Sequence, residues 1–248
     1  MRKFNFNIET DDNDSLSKSV YKNDKQKSLV VDRFGFVDLD LPSGTLWAKF
    51  NLGVDPDNLN YAKDWWGMYY AWGELDNALS NYDYKFIDDN GKLKKYCLDS
   101  TRGKVDNKSI LELKDDIAYV STKNEVYTQR IPNKDQLKEL LNNTTERFIN
   151  DYNGIKGLNV VILKSKINEN ELVIPLCGCV HKGTLKNDDN NYGGFWLADL
   201  LATNNLLGEA DDSEWANAFI AHKDYKVVNI SNRKRIVGLP IRGILYKI

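Results

Sequence analysis

Cysteine and histidine are scarce in this chain. Three cysteines in 248 residues make an odd number spread over a long sequence, which excludes a disulfide framework. The two histidines, His181 and His222, limit the bases open to a serine or cysteine nucleophile, and neither sits in a recognised catalytic motif. An excess of one charge is missing too: 34 Lys and Arg face 36 Asp and Glu, for a net charge of −2. Phosphate binding needs a basic excess on at least one face, so the composition argues against a nucleic-acid partner. The longest near-apolar run, Leu172 to Val180, is half the length a membrane-spanning helix requires, and no membrane span is expected. Met1-Arg2-Lys3 has no apolar stretch behind it, so no signal peptide is expected either. Phosphate loops, dinucleotide fingerprints and EF-hand loops are absent.

What is present is enough apolar material to fold. Hydrophobic residues make up 42% and aromatics 11% of the chain, a globular composition. A chain of this length is expected to form one large domain, burying roughly 70–75% of its unfolded surface. Asparagine is unusually common, at 28 residues, a bias that hints at an AT-rich genome. Residues 1–33 differ from the rest. Between Asp11 and Ser28, Leu16, Val20 and Tyr21 are nearly the only apolar residues, too few for the stretch to order itself. It reads either as a solvated tail or as an arm that orders against a partner subunit. Residues 34–248 show no linker and no repeat, and are expected to form a single domain.

That domain reads as α+β, with short strands, few helices and long loops. Phe34 to Leu41 alternates with period two and ends at Pro42-Ser43-Gly44, a strand followed by a turn. Strands are also expected at Leu46–Leu52, Leu158–Leu163, Glu171–Cys177, Ala216–Ala221, Lys226–Ile230 and Ile236–Tyr246. The clearest helix starts at Asn133, an N-cap with Gln136 three residues on, and carries Leu137, Leu140 and Leu141 on one face. Asp115 to Val120 reads as a second short helix. Trp47, Trp66, Trp72 and Trp196 are assigned to the core, where each indole N–H needs a partner, and Arg242 is expected to anchor the last strand to a carbonyl or carboxylate.

Few residues suggest catalysis. Cys177, Cys179 and His181 alternate and would share one face of a strand, but zinc ligands at that spacing are too far apart for a flat strand to close on a metal. No metal or other cofactor is expected. Adjacent aspartates (Asp88-Asp89, Asp115-Asp116, Asp188-Asp189, Asp211-Asp212) read as solvated turn residues rather than a catalytic pair. Loops rich in Asn, Asp, Gly and aromatics stand out instead, because such composition suits recognition: flat rings supply area and short polar groups supply hydrogen bonds. The same residues are also ordinary turn formers. The candidate ligand-binding residues are Asp188, Asn190, Asn191, Tyr192, Asn204, Asn205, Asp211, Asp212 and Trp215.

Several segments in order carry a family resemblance. Phe36-Val-Asp-Leu-Asp-Leu-Pro-Ser-Gly-Thr-Leu-Trp-Ala-Lys-Phe-Asn-Leu-Gly53, Gly67-Met-Tyr-Tyr-Ala-Trp-Gly-Glu74, Lys95-Tyr-Cys97, Asp115-Asp-Ile-Ala-Tyr-Val120, Arg130-Ile-Pro-Asn-Lys-Asp-Gln-Leu-Lys-Glu-Leu-Leu141, Phe195-Trp196 and Val237-Gly-Leu-Pro-Ile-Arg-Gly243 together resemble the "Fibrobacter succinogenes major paralogous" domain family over residues 36–248. Phe50, Phe148 and Leu197-Ala198 depart from its pattern. The resemblance implies a C-type-lectin-like fold: a twisted antiparallel sheet, flanking helices and a long loop region presenting a binding surface. The calcium-dependent sugar motifs of true C-type lectins are absent.

Members of that family occur in gut and rumen Bacteroidetes-type bacteria and in the phages that infect them. The polar arm, the missing export signal and the Asn/Lys-rich composition favour a phage-encoded member. It would be a non-enzymatic virion protein of fibre or decoration type, homo-oligomeric, docked on other virion proteins through residues 1–33 and facing host surface glycan or protein. The alternative is a bacterial surface adhesin or carbohydrate-binding module, with glycan on aromatic platforms such as Tyr192 or Trp215. A third reading, an oxidase of the lectin fold, would rest on Cys97, Cys177 and Cys179.

Overall fold

A computed structural model describes residues 35–80, 84–125, 127–187, 190–200 and 214–246. The arm at residues 1–33 therefore lies outside the described residues. In chain order the elements are β1 (Phe36–Asp38), β2 (Leu46–Ala48), β3 (Tyr69–Tyr70), α1 (Ile117–Thr122), β4 (Gln129–Arg130), α2 (Lys134–Asn142), β5 (Thr144–Ile149), β6 (Val160–Ser165) and β7 (Glu171–Pro175). There follow β8 (Cys179–His181), β9 (Thr184–Lys186), β10 (Tyr192–Leu200), β11 (Trp215–His222), β12 (Val227–Lys234), β13 (Leu239–Pro240) and β14 (Ile244–Leu245). These strands pair antiparallel, giving an α+β fold of mainly antiparallel sheet with two α-helices among the described residues.

Three sheets carry the fold, in the orders β1-β2-β14-β4, β5-β6-β7 and β10-β11-β12, and two two-stranded ribbons, β3-β13 and β8-β9, accompany them. The first sheet brings the two ends of the described chain together, Trp47 of β2 opposite Ile244 of β14.

β10 and β11 are apolar along almost their whole length because both faces are covered, as a strand buried on two sides requires. Phe195, Leu197, Phe219 and Ala221 face one core with Leu39, Leu137, Leu140, Val161 and Ile174. Trp196, Ala198, Leu200, Ala216, Ala218 and Ile220 face the other, with Trp72 and Tyr96. Phe195 and Phe219 are cross-strand partners with stacked rings 4.7 Å apart. On the outer side of β10, loop backbone completes the hydrogen bonding: Leu111 N–H donates to Ala198 O, and Ala198 N–H to Pro132 O.

The expected helix is α2, one residue inside its cap. Asn133 Oδ1 accepts from Gln136 N–H and Gln136 Oε1 accepts from Asn133 N–H, at 2.9 and 2.8 Å, a reciprocal capping box. Leu137 and Leu140 are fully buried. The second helix, α1, is capped by Asp116, which accepts from Tyr119 N–H at 3.1 Å.

Three expectations need correction. Ile236–Tyr246 is two short strands in different sheets, β13 against β3 and β14 between β2 and β4. The chain turns at Arg242, whose guanidinium donates inward to the carbonyls of Ala48, Lys49 and Val173, so Arg242 is the anchor expected. Leu46–Leu52 is a strand only as far as Ala48. Beyond it the backbone bonds to other partners, Lys49 N–H to Gly35 O and Leu52 N–H to Ile241 O. Trp66 is half-buried, and its neighbour Trp65 is the more enclosed ring. Trp72 and Trp196 donate to Leu197 O and Tyr70 O at 2.8 and 2.7 Å, whereas Trp47 Nε1 is buried without a partner among the described residues.

Candidate functional site

Of the nine candidate binding residues, Asp188, Asn204, Asn205, Asp211 and Asp212 lie outside the described residues. The other four are not brought together. Tyr192 opens β10 and pairs with His222 at the end of β11, while Trp215 opens β11 and pairs with Lys234. Seven residue steps along β11 separate the two positions, about 24 Å at the rise of an antiparallel strand. Trp215 is half-buried, with Lys234 Nζ 5.7 Å from its ring.

Asn190 serves structure first. Its backbone is left-handed, φ 56°, which Asn tolerates. Its Nδ2 donates to Gly157 O at 2.7 Å, its Oδ1 accepts from Asn187 Nδ2, and its carbonyl accepts from Asn159 Nδ2 at 3.2 Å. It clamps the turn before β10 onto the loop before β6. Asn191 closes the far end of the β10–β11 ladder by accepting from Lys223 N–H at 2.8 Å. The Gly193-Gly194 pair belongs to β10 and not to a loop: a Cβ at Gly193 would lie 2.7 Å from Leu176 Cα, and one at Gly194 2.1 Å from Phe219 O. Both positions are glycine because backbone packs directly upon them.

Tyr192 is the described candidate that starts a surface feature. Its ring is 6.3 Å from His222 and nearly parallel to it, at 19°. The His222 ring is in turn 4.4 Å from Tyr225, which is 75% exposed in the β11–β12 turn. The three rings form a row from the start of β10, across the end of β11, to open solvent. At the covered end, the Tyr192 hydroxyl lies 2.9 Å from Cys179 Sγ and 3.1 Å from Lys186 O, which fixes the ring. His222 Nδ1 is buried and has no partner among the described residues. His222 and Tyr225 were not among the sequence candidates. The turn His222-Lys-Asp-Tyr-Lys226, with Lys226 at φ 49°, carries a large ring where the chain reverses, and that was the available signal.

The alternation of Cys177, Cys179 and His181 does not give one face. Gly178 adopts φ +70° and breaks the strand between the cysteines, so Cys177 is buried, Cys179 half-buried and His181 exposed. Among the described residues no group of three or more His, Cys, Asp or Glu is arranged to hold a metal ion. Burial pushes the Cys177 thiol up to about 12, far from a reactive thiolate.

Of the described carboxylate pairs, Asp88-Asp89 stands in a turn with Asp89 exposed, as expected, whereas Asp115 and Asp116 are buried and correct the expectation of solvated residues. Asp88 Oδ1 accepts from the N–H groups of Asn90 and Lys92. Asp115 is held by Lys95 and by the Tyr96 hydroxyl. Asp116 accepts from Ile131 N–H and Arg130 Nε besides capping α1. Its burial raises the Asp116 carboxyl above the ordinary range, against these bonds.

Comparison of the chain with protein-family models, with curated proteins and with solved structures found no match.

Proposed function

We propose that this chain is a non-enzymatic recognition protein, a phage virion component of fibre or decoration type with a C-type-lectin-like domain that binds host surface glycan. The observation that carries the binding reading is the Tyr192–His222–Tyr225 row. An exposed Tyr225 ring, tilted at 48° against His222 and continued by Tyr192, is an aromatic surface on which a sugar ring can lie. The engagement of the described carboxylates in caps and turns, and the burial of Cys177, favour binding over turnover. The virion setting is supported by the family resemblance and by the polar arm at residues 1–33. A bacterial surface adhesin would use the same platform.

Two measurements test this. On a glycan array the full chain is expected to bind a defined set of glycans, and Tyr225→Ala to weaken that binding by several-fold to about tenfold. Because Tyr225 is exposed, the variant keeps its fold, and undiminished binding would remove the platform from consideration. Mass spectrometry of purified virions should contain this chain. Its absence there, with glycan binding intact, would move the protein to the adhesin reading.

A further inference from the structure

A cleft of about 270 Å³ opens on another part of the molecule, where Ser43 and Thr45 face Arg130, Asn133, Gln136 and Ala198. Ala198 lies six residues along β10 from Tyr192, about 20 Å, so this is a separate site from the aromatic row. Its volume is at the small end for ligand pockets, the size of a terminal group or a single sugar unit.

The hydrogen-bonding capacity left in its lining can be counted. The capping box fixes the orientation of both side-chain amides, with Asn133 Oδ1 and Gln136 Oε1 each accepting one backbone N–H. Each amide keeps its NH2 group, two donors, and one lone pair on its oxygen. Arg130 has five N–H groups. Nε donates to Asp116 and Nη2 to Leu111 O at 3.2 Å, and the guanidinium rests on the Tyr246 ring at 5.4 Å. Its remaining N–H groups are unassigned among the described residues, and Arg130 is partly exposed.

Ser43 spends its one hydroxyl proton on Glu139 Oε2 at 2.6 Å. The proton in the 2.6 Å contact between Ser43 Oγ and Thr45 Oγ1 must then come from Thr45, which leaves Thr45 Oγ1 only its acceptor lone pairs. Apart from Tyr246 the remaining side chains of the lining are aliphatic. The polar lining is thus rich in donors, with acceptor capacity on Thr45 Oγ1 and on the two amide oxygens, beside an apolar surface.

Charge decides between acceptors. Asp116 lies behind Arg130, Glu139 is bound to Ser43, and Asp199 Oδ2 accepts from Lys134 N–H at 2.6 Å at the start of α2. Arg130 is already paired with the Asp116 carboxyl, and the other two carboxyl groups add no positive charge, which favours a neutral acceptor over an anion. A secondary amide with a small alkyl group fits: its C=O takes the donors, its N–H takes Thr45 Oγ1, and its methyl meets the aliphatic wall. We infer that this cleft binds the acetamido group of an N-acetylated amino sugar. The inference extends the glycan reading to a second site, but it stands on the cleft alone.

The test is a titration of the ¹⁵N-labelled full chain, followed by amide chemical shifts, with N-acetylglucosamine, glucose, glucuronate and N-acetylalanine methylamide as separate probes. Residues lining the cleft are expected to shift with N-acetylglucosamine and at least about tenfold more weakly with glucose, which lacks the amide. Ile110 is 52% exposed at the rim, so Ile110→Trp should fill the cleft without unfolding the chain and cut the response about tenfold or more, while Tyr225→Ala leaves it unchanged. No shift at the cleft, equal shifts with glucose, a stronger response to glucuronate, or insensitivity to Ile110→Trp would each overturn the inference. Tighter binding of N-acetylalanine methylamide would overturn the sugar assignment in favour of a peptide partner. Loss of array binding in Tyr225→Ala with the cleft response intact would separate the two sites.

Discussion

The guanidinium carbon of Arg235 lies 4.8 Å from the centroid of the Trp72 ring, and the rings of Tyr84, Phe86 and Tyr96 stand around it at 5.7, 5.8 and 5.9 Å. The charge is fully buried. It is compensated by bonds from Nε to Tyr84 Oη, from Nη1 to Tyr96 O and from Nη2 to Lys95 O, at 2.8, 3.0 and 3.1 Å. One side chain just past β12 thereby holds the long irregular segment from Tyr84 to Tyr96 against the second core.

Lysine cannot replace this arginine. An ammonium keeps the charge but loses the planar fork that reaches three oxygens in different directions and lies flat on indole. Arg235→Lys is expected to lower unfolding free energy by about 2–4 kcal/mol, measured by urea denaturation. Arg233→Lys, two residues earlier and half-exposed, should change it by no more than about 0.5 kcal/mol. Equal effects would mean that the ring cluster does not hold the segment.

How much of this was legible depends on whether the signal is local. The α2 cap was readable because both capping residues lie three positions apart in sequence, and the β6–β7 hairpin because two apolar runs flank a turn at Asn168–Asn170. The Arg235 cluster was not, since Ser231-Asn-Arg-Lys-Arg235 looks like a solvated charge run and its partners are about 140 residues earlier. β10 was partly misread for a related reason. Asn190, Asn191 and the two glycines have loop composition, but the glycines answer to backbone packing from β7 and β11 that sequence spacing does not reveal. Tyr192 and Trp215 share a loop-like composition, which does not reveal that antiparallel pairing sends them to opposite ends of β11.

Asp106 gives a pH-dependent prediction. Burial tends to raise its carboxyl, but the N–H groups of Tyr96, Cys97 and Lys108, at 2.8, 3.0 and 3.2 Å, outweigh that and hold it below the ordinary range. A carboxyl with a depressed folded pKa contributes stability above its unfolded pKa, near 3.9, and loses it as pH falls through the folded value. Asp106→Asn should therefore cost about 1 kcal/mol at pH 7, and the gap from the parent should close at pH values below about 4. Urea midpoints across that range measure it. A gap that persists undiminished in acid would assign the cost to shape rather than to charge.

Thiol chemistry separates the three cysteines. Cys97 and Cys177 are fully buried, while Cys179 is half-buried beside the Tyr192 hydroxyl. The thiolate is the reacting species, and with its pKa pushed up to about 12 Cys177 at pH 8 is about one part in ten thousand thiolate. An aromatic disulfide reagent should find at most one equivalent of thiol in the native protein and three in denaturant. Cys179→Ser should remove the native equivalent, and blocking Cys179 should disturb binding at the adjoining Tyr192–His222–Tyr225 row. Two or more fast native equivalents would contradict this burial and reopen the reading of the cysteines as catalytic groups.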